Sequence, residues 1–196
     1  MTDFAKVYFE SKNWLDNTWR GITIWKSPLD IMLNQEIIWA NRPECIIETG
    51  TAFGGSAAFF ADMMELLWRD APGSPPRVLS IDINARDSRP IDSRVTYLRG
   101  NSGEDSTAAK AKEWVNGRTT MISFDTGHTY MLTLLELQLL APLVTPGQSL
   151  CVEDTFMCPQ VYDATKRWFA DHHEFTVDPM GTKYLASWAT WFKRMP

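Results

Sequence analysis

No stretch of this 196-residue chain approaches the roughly 18 unbroken apolar residues that a membrane span requires. The opening residues Met1-Thr2-Asp3-Phe4-Ala5-Lys6 lack the basic head and apolar core of a secretory leader. A cytoplasmic protein with no membrane partner is therefore expected. Positive charge is also in short supply: 19 Lys and Arg stand against 24 Asp and Glu, a formal net charge of -5. Proteins that grip phosphate backbones by charge are basic, so no nucleic-acid partner is expected. The three cysteines, Cys45, Cys151 and Cys158, are an odd number with no CxxC pair, which argues against a disulfide framework and a structural zinc. Cys45 and Cys151 lie in apolar runs, where Cys acts as a small hydrophobe, and are read as reduced core residues. The three histidines, His128, His172 and His173, do not form the HxD…H pattern of a non-haem iron triad. Internal repeats and low-complexity tracts are lacking too.

What is present is the composition of a soluble globular domain, 44% hydrophobic and 22% charged. Tryptophan is the oddity: there are nine, and Trp14, Trp19, Trp25 and Trp39 crowd the N-terminal part. Core and subunit contact is the simpler explanation; an aromatic pocket for a flat or sugar-like substrate is the sharper one. A homo-oligomer is expected on the first.

Residues 1–26 show no clear period. Ser27-Pro28 marks a helix start, with Ser as N-cap and Pro at the first helical position. Leu29, Met32, Leu33 and Ile37 follow at helical spacing until Asn41-Arg42-Pro43. Strands and helices then alternate. Strands are expected over 45–48, 78–81, 95–98, 121–124 and 150–152. Helices are expected from Ser56 as cap, over 106–115, 131–140 and 161–169. The segment Ala71-Pro72-Gly73-Ser74-Pro75-Pro76 must be a loop. Two last strands, near 174–177 and 184–192, are joined by a link too short for a crossover and should pair antiparallel. The expectation is an α/β fold with a doubly wound, Rossmann-like, mostly parallel seven-stranded sheet. Residues 1–40 would pack as an aromatic segment and helix on a domain over 41–196, one domain overall.

In such sheets ligands bind beyond the carboxyl ends of the strands. There the sequence places Glu48-Thr49-Gly50-Thr51-Ala52-Phe53-Gly54-Gly55-Ser56. The dinucleotide fingerprint wants glycine at 50, 52 and 55, and Ala52 breaks it. S-adenosylmethionine carries no pyrophosphate and is content with a looser glycine turn. Glu48, Gly50, Thr51, Gly55 and Ser56 are the candidate cofactor residues here, a purely structural turn being the alternative. Asp82, ending the next strand, is placed to accept two hydrogen bonds from ribose hydroxyls, or else caps a helix. Asn101-Ser102, after the third strand, are candidates for the adenine edge.

Asp125 ends the fourth strand, and Glu153-Asp154 follow the fifth. Three carboxylates in one cleft repel one another unless a cation joins them. Mg²⁺ on Asp125, Glu153 and Asp154 satisfies that requirement and would orient an acceptor oxygen. His128, three residues past Asp125, is the candidate general base. Helix-capping acids and a polar loop histidine are the bland alternative.

Several ordered blocks carry a family resemblance: Thr18-Trp19-Arg20-Gly21, Trp25-Lys26-Ser27-Pro28-Leu29-Asp30, Gln35-Glu36, Ile47 to Ser56, Leu137 with Ala141-Pro142-Leu143-Val144, and Val152-Glu153-Asp154-Thr155. Together they resemble the cephalosporin hydroxylase family, which includes relatives of the rhamnosyl O-methyltransferases. The resemblance spans residues 15–194. It implies a class I methyltransferase fold, S-adenosylmethionine as cofactor and Mg²⁺ at the acidic cluster. The catechol-type O-methyltransferases share the placement of one acid after strand four and an acidic pair after strand five. One departure stands out. The family reads Asp-Ser-Asp-His after strand four, whereas this chain reads Asp125-Thr126-Gly127-His128, which puts the strength of the metal site in question. The function implied is methyl transfer to a hydroxyl of a small-molecule acceptor, a secondary metabolite or sugar. An oxygenase component and a non-catalytic nucleoside-binding subunit are the alternatives.

Overall fold

The structure is a computed structural model that describes residues 3–70, 77–84, 89–184 and 187–196. The N-terminal part, which has no period in sequence, holds helix α1 (Asp3–Ser11), a 3-10 turn (Asn13–Asp16) and an antiparallel ribbon of β1 (Thr18–Trp19) and β2 (Ile22–Thr23). Among the described side chains of α1 only Ala5 is fully buried, and Tyr8 and Phe9 join Trp14 and Trp188 in a small aromatic cluster. A helix that docks through so few residues leaves little apolar period to read.

Helix α2 (Pro28–Asn41) begins and ends where its signals lie. The Ser27 hydroxyl accepts from Asp30 N, and Arg42 closes the helix at φ 49, its N–H donating to Ile38 O. Strand β3 (Cys45–Thr49) is buried at every residue. Helix α3 (Gly55–Trp68) is capped by Gly54 at φ 87, so Ser56 lies in its first turn and is not the cap. The cause is close packing: a Cβ on Gly55 would sit 2.3 Å from Thr23 O, and the helix can start there only without a side chain.

Next come β4 (Arg77–Asp82), β5 (Val95–Arg99), α4 (Asp105–Val115), β6 (Thr120–Phe124), α5 (Tyr130–Leu140), β7 (Ser149–Val152), α6 (Pro159–Phe169), β8 (Phe175–Val177) and β9 (Thr190–Arg194). The sheet order is β5-β4-β3-β6-β7-β9-β8. Pairs from β5 through β7 are parallel, while β9 runs antiparallel between β7 and β8. The seven-stranded, mostly parallel sheet with an antiparallel end is the expected architecture. The last strand starts at Thr190, later than expected: residues 185–186 lie outside the described residues, and Ser187 Oγ and Trp188 N are drawn to Asp30 instead of a strand partner. The loop expected over 71–76, and Met1 and Thr2, lie outside the described residues.

Neighbouring strand residues face opposite sides. Ile46, Val78 and Met121 meet Leu33, Ile37, Phe59 and Phe60 on one face. Ile47, Leu79 and Ile122 meet Leu137, Leu140 and Trp168 on the other. Helices thus cover both faces, with α2 and α3 opposite α4, α5 and α6. The chain leaves β3 toward β4 and β5 on one side and returns through β6 and β7 on the other, so the switch point lies between β3 and β6. No helix among the described residues is long and apolar enough to cross a membrane.

Candidate active site

The turn after β3 threads between the ends of its two neighbours. Gly50 N donates to Ile81 O at 2.8 Å, and Asp125 N donates to Thr49 O at 3.1 Å. Gly50 sits at φ 85, and a Cβ there would fall 1.7 Å from Asp125 O. Ala52 takes φ 44, the left-handed region, at the position where the dinucleotide fingerprint has glycine. Its N–H donates to Asp82 Oδ2 at 3.0 Å, while Asn84 N donates to Asp82 Oδ1 at 2.8 Å. Arg89 Nη2 lies 3.3 Å from the same Oδ2 in an ion pair. Asp82 therefore fixes both the glycine turn and the loop after β4, and Oδ1 keeps a further lone pair for a ligand.

These elements wall a cavity of about 690 Å³. Gly50, Thr51, Gly55, Ser56, Asp82, Asn101 and Ser102 all reach its surface, as the sequence suggested. Asn101 Oδ1 accepts from Gly103 N at 3.0 Å and so also shapes the loop after β5. Glu48 does not reach the cavity. It lies inside β3, 3% exposed, and accepts from Ser80 Oγ at 2.7 Å. Ser80 spends its one proton on Glu48, so the Thr51 hydroxyl hydrogen-bonded to it must donate. Burial pushes the Glu48 carboxyl up to about 7. The expected cofactor residue is thus a support under the turn.

The acids at the other side are gathered as the strand ends predict. Asp125 follows β6, and Glu153-Asp154 follow β7. One oxygen each from Asp125 and Asp154 and a ring nitrogen of His128 lie within 4.8 Å of one another. His128 Nε2 is 3.0 Å from Asp154 Oδ2 and 3.4 Å from Asp125 Oδ1. Despite these distances neither approach has the angle of a formed hydrogen bond, and Nε2 is buried without one. His128 and Asp154 hold φ 51 and φ 57, left-handed conformations rare outside glycine. Two strained residues side by side in one cluster mark a site that the surrounding fold holds in place.

Glu153 departs from the expected metal ligands. Its carboxylate is buried, and Oε1 accepts from Lys26 Nζ at 2.8 Å. The same ammonium donates to Asp125 Oδ2 at 3.0 Å. Burial lifts Glu153 to about 7. Burial would lift Asp125 too, but Lys26 and then His128 outweigh it and hold it down at about 2. The close polar approach and charge of Asp125, then of Asp154, raise His128 to about 10. With no cation on those carboxylates the imidazole is thus protonated at neutral pH, which is not the state of a general base.

Two residues that brace the site were not foreseen. Lys26 comes from the link between β2 and α2. Glu136, on the buried face of α5, accepts from Thr126 Oγ1 at 2.7 Å and interacts with Ser102 and Thr49. An acid in the apolar stripe of Thr133, Leu137 and Leu140 was the available signal for it. Trp14 and Trp25 reach the cavity. The Trp25 ring, 42% exposed, stands nearly perpendicular to Phe53 at 5.0 Å and Trp14 at 6.3 Å. Trp19 packs on Phe59 instead. His172 stacks on Trp168 at 4.1 Å, away from the cavity wall, so it does not join His128 in an iron triad.

The fold and this crevice define the class I methyltransferase architecture. The family model described as Rhamnosyl O-methyltransferase/CmcI matches residues 11–194, and the chain belongs to that family. A rhamnosyl O-methyltransferase of Mycobacterium leprae (strain TN) is 34% identical over 158 residues, covering 78% of this chain and 66% of the relative. The chain thus spans just under two thirds of that relative's length. Among solved structures, CmcI with Mg-SAM superposes with a TM-score of 0.72 at 18% identity, covering 94% of this chain and 79% of that one. A TDP-rhamnose 3'-O-methyltransferase of calicheamicin biosynthesis gives 0.61 at 16% identity, with 84% and 79% covered.

Proposed function

We propose that the chain is an S-adenosylmethionine-dependent O-methyltransferase acting on a hydroxyl of a small molecule, a sugar or a secondary metabolite. One observation carries the proposal. The cavity has a glycine turn and Asp82 on one wall and Asp125, His128 and Asp154 on the other. Family membership supports the same chemistry, and the rhamnosyl specificity of the relatives favours a sugar acceptor.

The cofactor fits the first wall. Gly50 leaves room for the Asp125 backbone to approach the turn, Asp82 offers the remaining lone pair of Oδ1 to a ribose hydroxyl, and Asn101 and Ser102 border the position of a base. Bound S-adenosylmethionine supplies an electrophilic methyl group on a sulfonium. The second wall fits a divalent ion, since His128 Nε2 is buried without a hydrogen bond between two carboxylates. An ion held by Asp125 and Asp154 would supply polarisation of the acceptor oxygen and draw off the carboxylate charge that keeps His128 protonated. His128, its ring held between Asp125 and Asp154, would then be free to take the acceptor hydroxyl's proton as the hydroxyl oxygen bonds to the methyl carbon and the methyl–sulfur bond breaks, its electron pair returning to sulfur as a neutral thioether. Trp25 and Trp14 give the cavity an aromatic wall against which an acceptor could lie.

A cytoplasmic homo-oligomer is part of the same proposal. Exposed Met32 and Trp39, seven residues apart on α2, support self-association.

Thermal unfolding tests the cofactor. At a hundredfold excess over Kd, S-adenosylmethionine should add about 2.7 kcal/mol of stability, and NAD none. No shift at millimolar S-adenosylmethionine would refute the assignment. Transfer of labelled methyl to rhamnosides should fall on chelation and return with Mg²⁺; transfer that survives chelation removes the ion from the mechanism.

A further inference from the structure

Carboxylates aimed at one cleft need a cation, and this chain carries one there itself. Lys26 Nζ lies 3.0 Å from Asp125 Oδ2 and 2.8 Å from Glu153 Oε1, with only 4% of its side chain exposed. The backbone around it is fixed. Lys26 N donates to Ile24 O, its carbonyl accepts from Asn17 Nδ2, and the next residue, Ser27, caps α2. The ammonium thus occupies oxygens on two of the three carboxylates that the sequence assigns to a divalent ion.

We propose that Lys26 is a built-in competitor of that ion, which satisfies Asp125 and Glu153 in the metal-free protein and weakens the site's affinity for the metal. The proposal rests on the metal-assisted function above. Two effects act in the same direction. A fixed positive charge beside the ligand atoms repels a divalent cation, and burial leaves that repulsion poorly screened. Glu153, in turn, cannot offer its bound oxygen to a metal without breaking a buried ion pair and leaving an uncompensated charge. Gly127 supplies no carboxylate to make up the difference. The benefit is a cleft whose acids stay in register without metal, since the ammonium cancels repulsion that would otherwise push Asp125 and Glu153 apart. The result is a weakly held, exchangeable ion.

Mn²⁺ titration, followed by the electron paramagnetic signal of the free ion, reads the affinity without turnover. Lys26→Met should bind Mn²⁺ at least tenfold more tightly than the wild type, and Lys26→Arg within about threefold of it. Should Lys26→Met fail to fold for want of a partner for Glu153, the comparison moves to Lys26→Met/Glu153→Gln against Glu153→Gln, which differ only in the ammonium. The double variant should again be tighter by tenfold or more. Equal or weaker binding in the protein without lysine overturns the competitor role and leaves the metal site standing. Saturable binding by none of these proteins overturns both the competitor role and the metal reading beneath it.

Discussion

Replacing Gly50 by alanine perturbs the site at the point where its two walls meet. The new methyl group would fall 1.7 Å from Asp125 O and 2.6 Å from Asp125 C, against about 3.5 Å for an ordinary contact. Both of these atoms are backbone, so no side chain can swing away, and the turn must part from the end of β6. Parting them threatens the Asp125 N to Thr49 O hydrogen bond, whose loss in a buried setting costs about 1–3 kcal/mol. Holding alanine at φ 85 adds about 1–2 kcal/mol. The sum is roughly 2–5 kcal/mol, or about 10 °C in melting temperature for a chain of this size. Gly117→Ala is the control: Gly117 has φ 77, but a methyl group there would meet nothing within 4 Å, so it bears the conformational cost alone. Thermal and urea unfolding of both variants should show Gly50→Ala losing about twice as much stability as Gly117→Ala or more. Gly50→Ala should also lose S-adenosylmethionine binding, because Asp125 and the turn shift together. Equal melting temperatures for the two variants, with cofactor affinity intact, would refute the close-approach argument.

Asp82→Ala should weaken S-adenosylmethionine by about 1–3 kcal/mol in a calorimetric titration, the scale of hydrogen bonds to a charged acceptor. Unchanged affinity would show that Asp82 serves only its protein partners Ala52, Asn84 and Arg89. Glu48→Gln tests the buried support. The Glu48 carboxyl is raised from 4.5 to about 7 chiefly by burial, so its contribution is fully present below pH 4.5 and is lost as pH rises through 7, a swing of about 3 kcal/mol. The stability of Glu48→Gln relative to the wild type should therefore rise between pH 4.5 and 7.5, while Glu153, shifted the same way, still imposes its own slope on both proteins. A difference that does not change with pH would show that Glu48 is ionised in the fold at every pH tested.

Asp82, Asp125 and the glycine turn were legible because each is a local event. A short apolar run ends, an acid or glycine follows, and the parallel topology brings such ends together. Glu48 was misplaced by one residue of strand length. The strand continues through Thr49, so Glu48 belongs to the sheet and is buried, while the chain beyond it turns into the cavity. Glu153 and Asp154 divide in the same way. The first continues β7's buried line onto Lys26, and the second, at φ 57, swings to the cavity. Lys26 was beyond such reasoning because 99 and 127 residues separate it from Asp125 and Glu153. Local pattern tells that converging carboxylates require a positive charge. It does not tell whether an ion from solution or an ammonium from a distant link supplies it. The placement of Lys26 makes that choice the chemical question of the site, since the ammonium already holds Asp125, a carboxylate the ion would need, and ties Glu153 away from it.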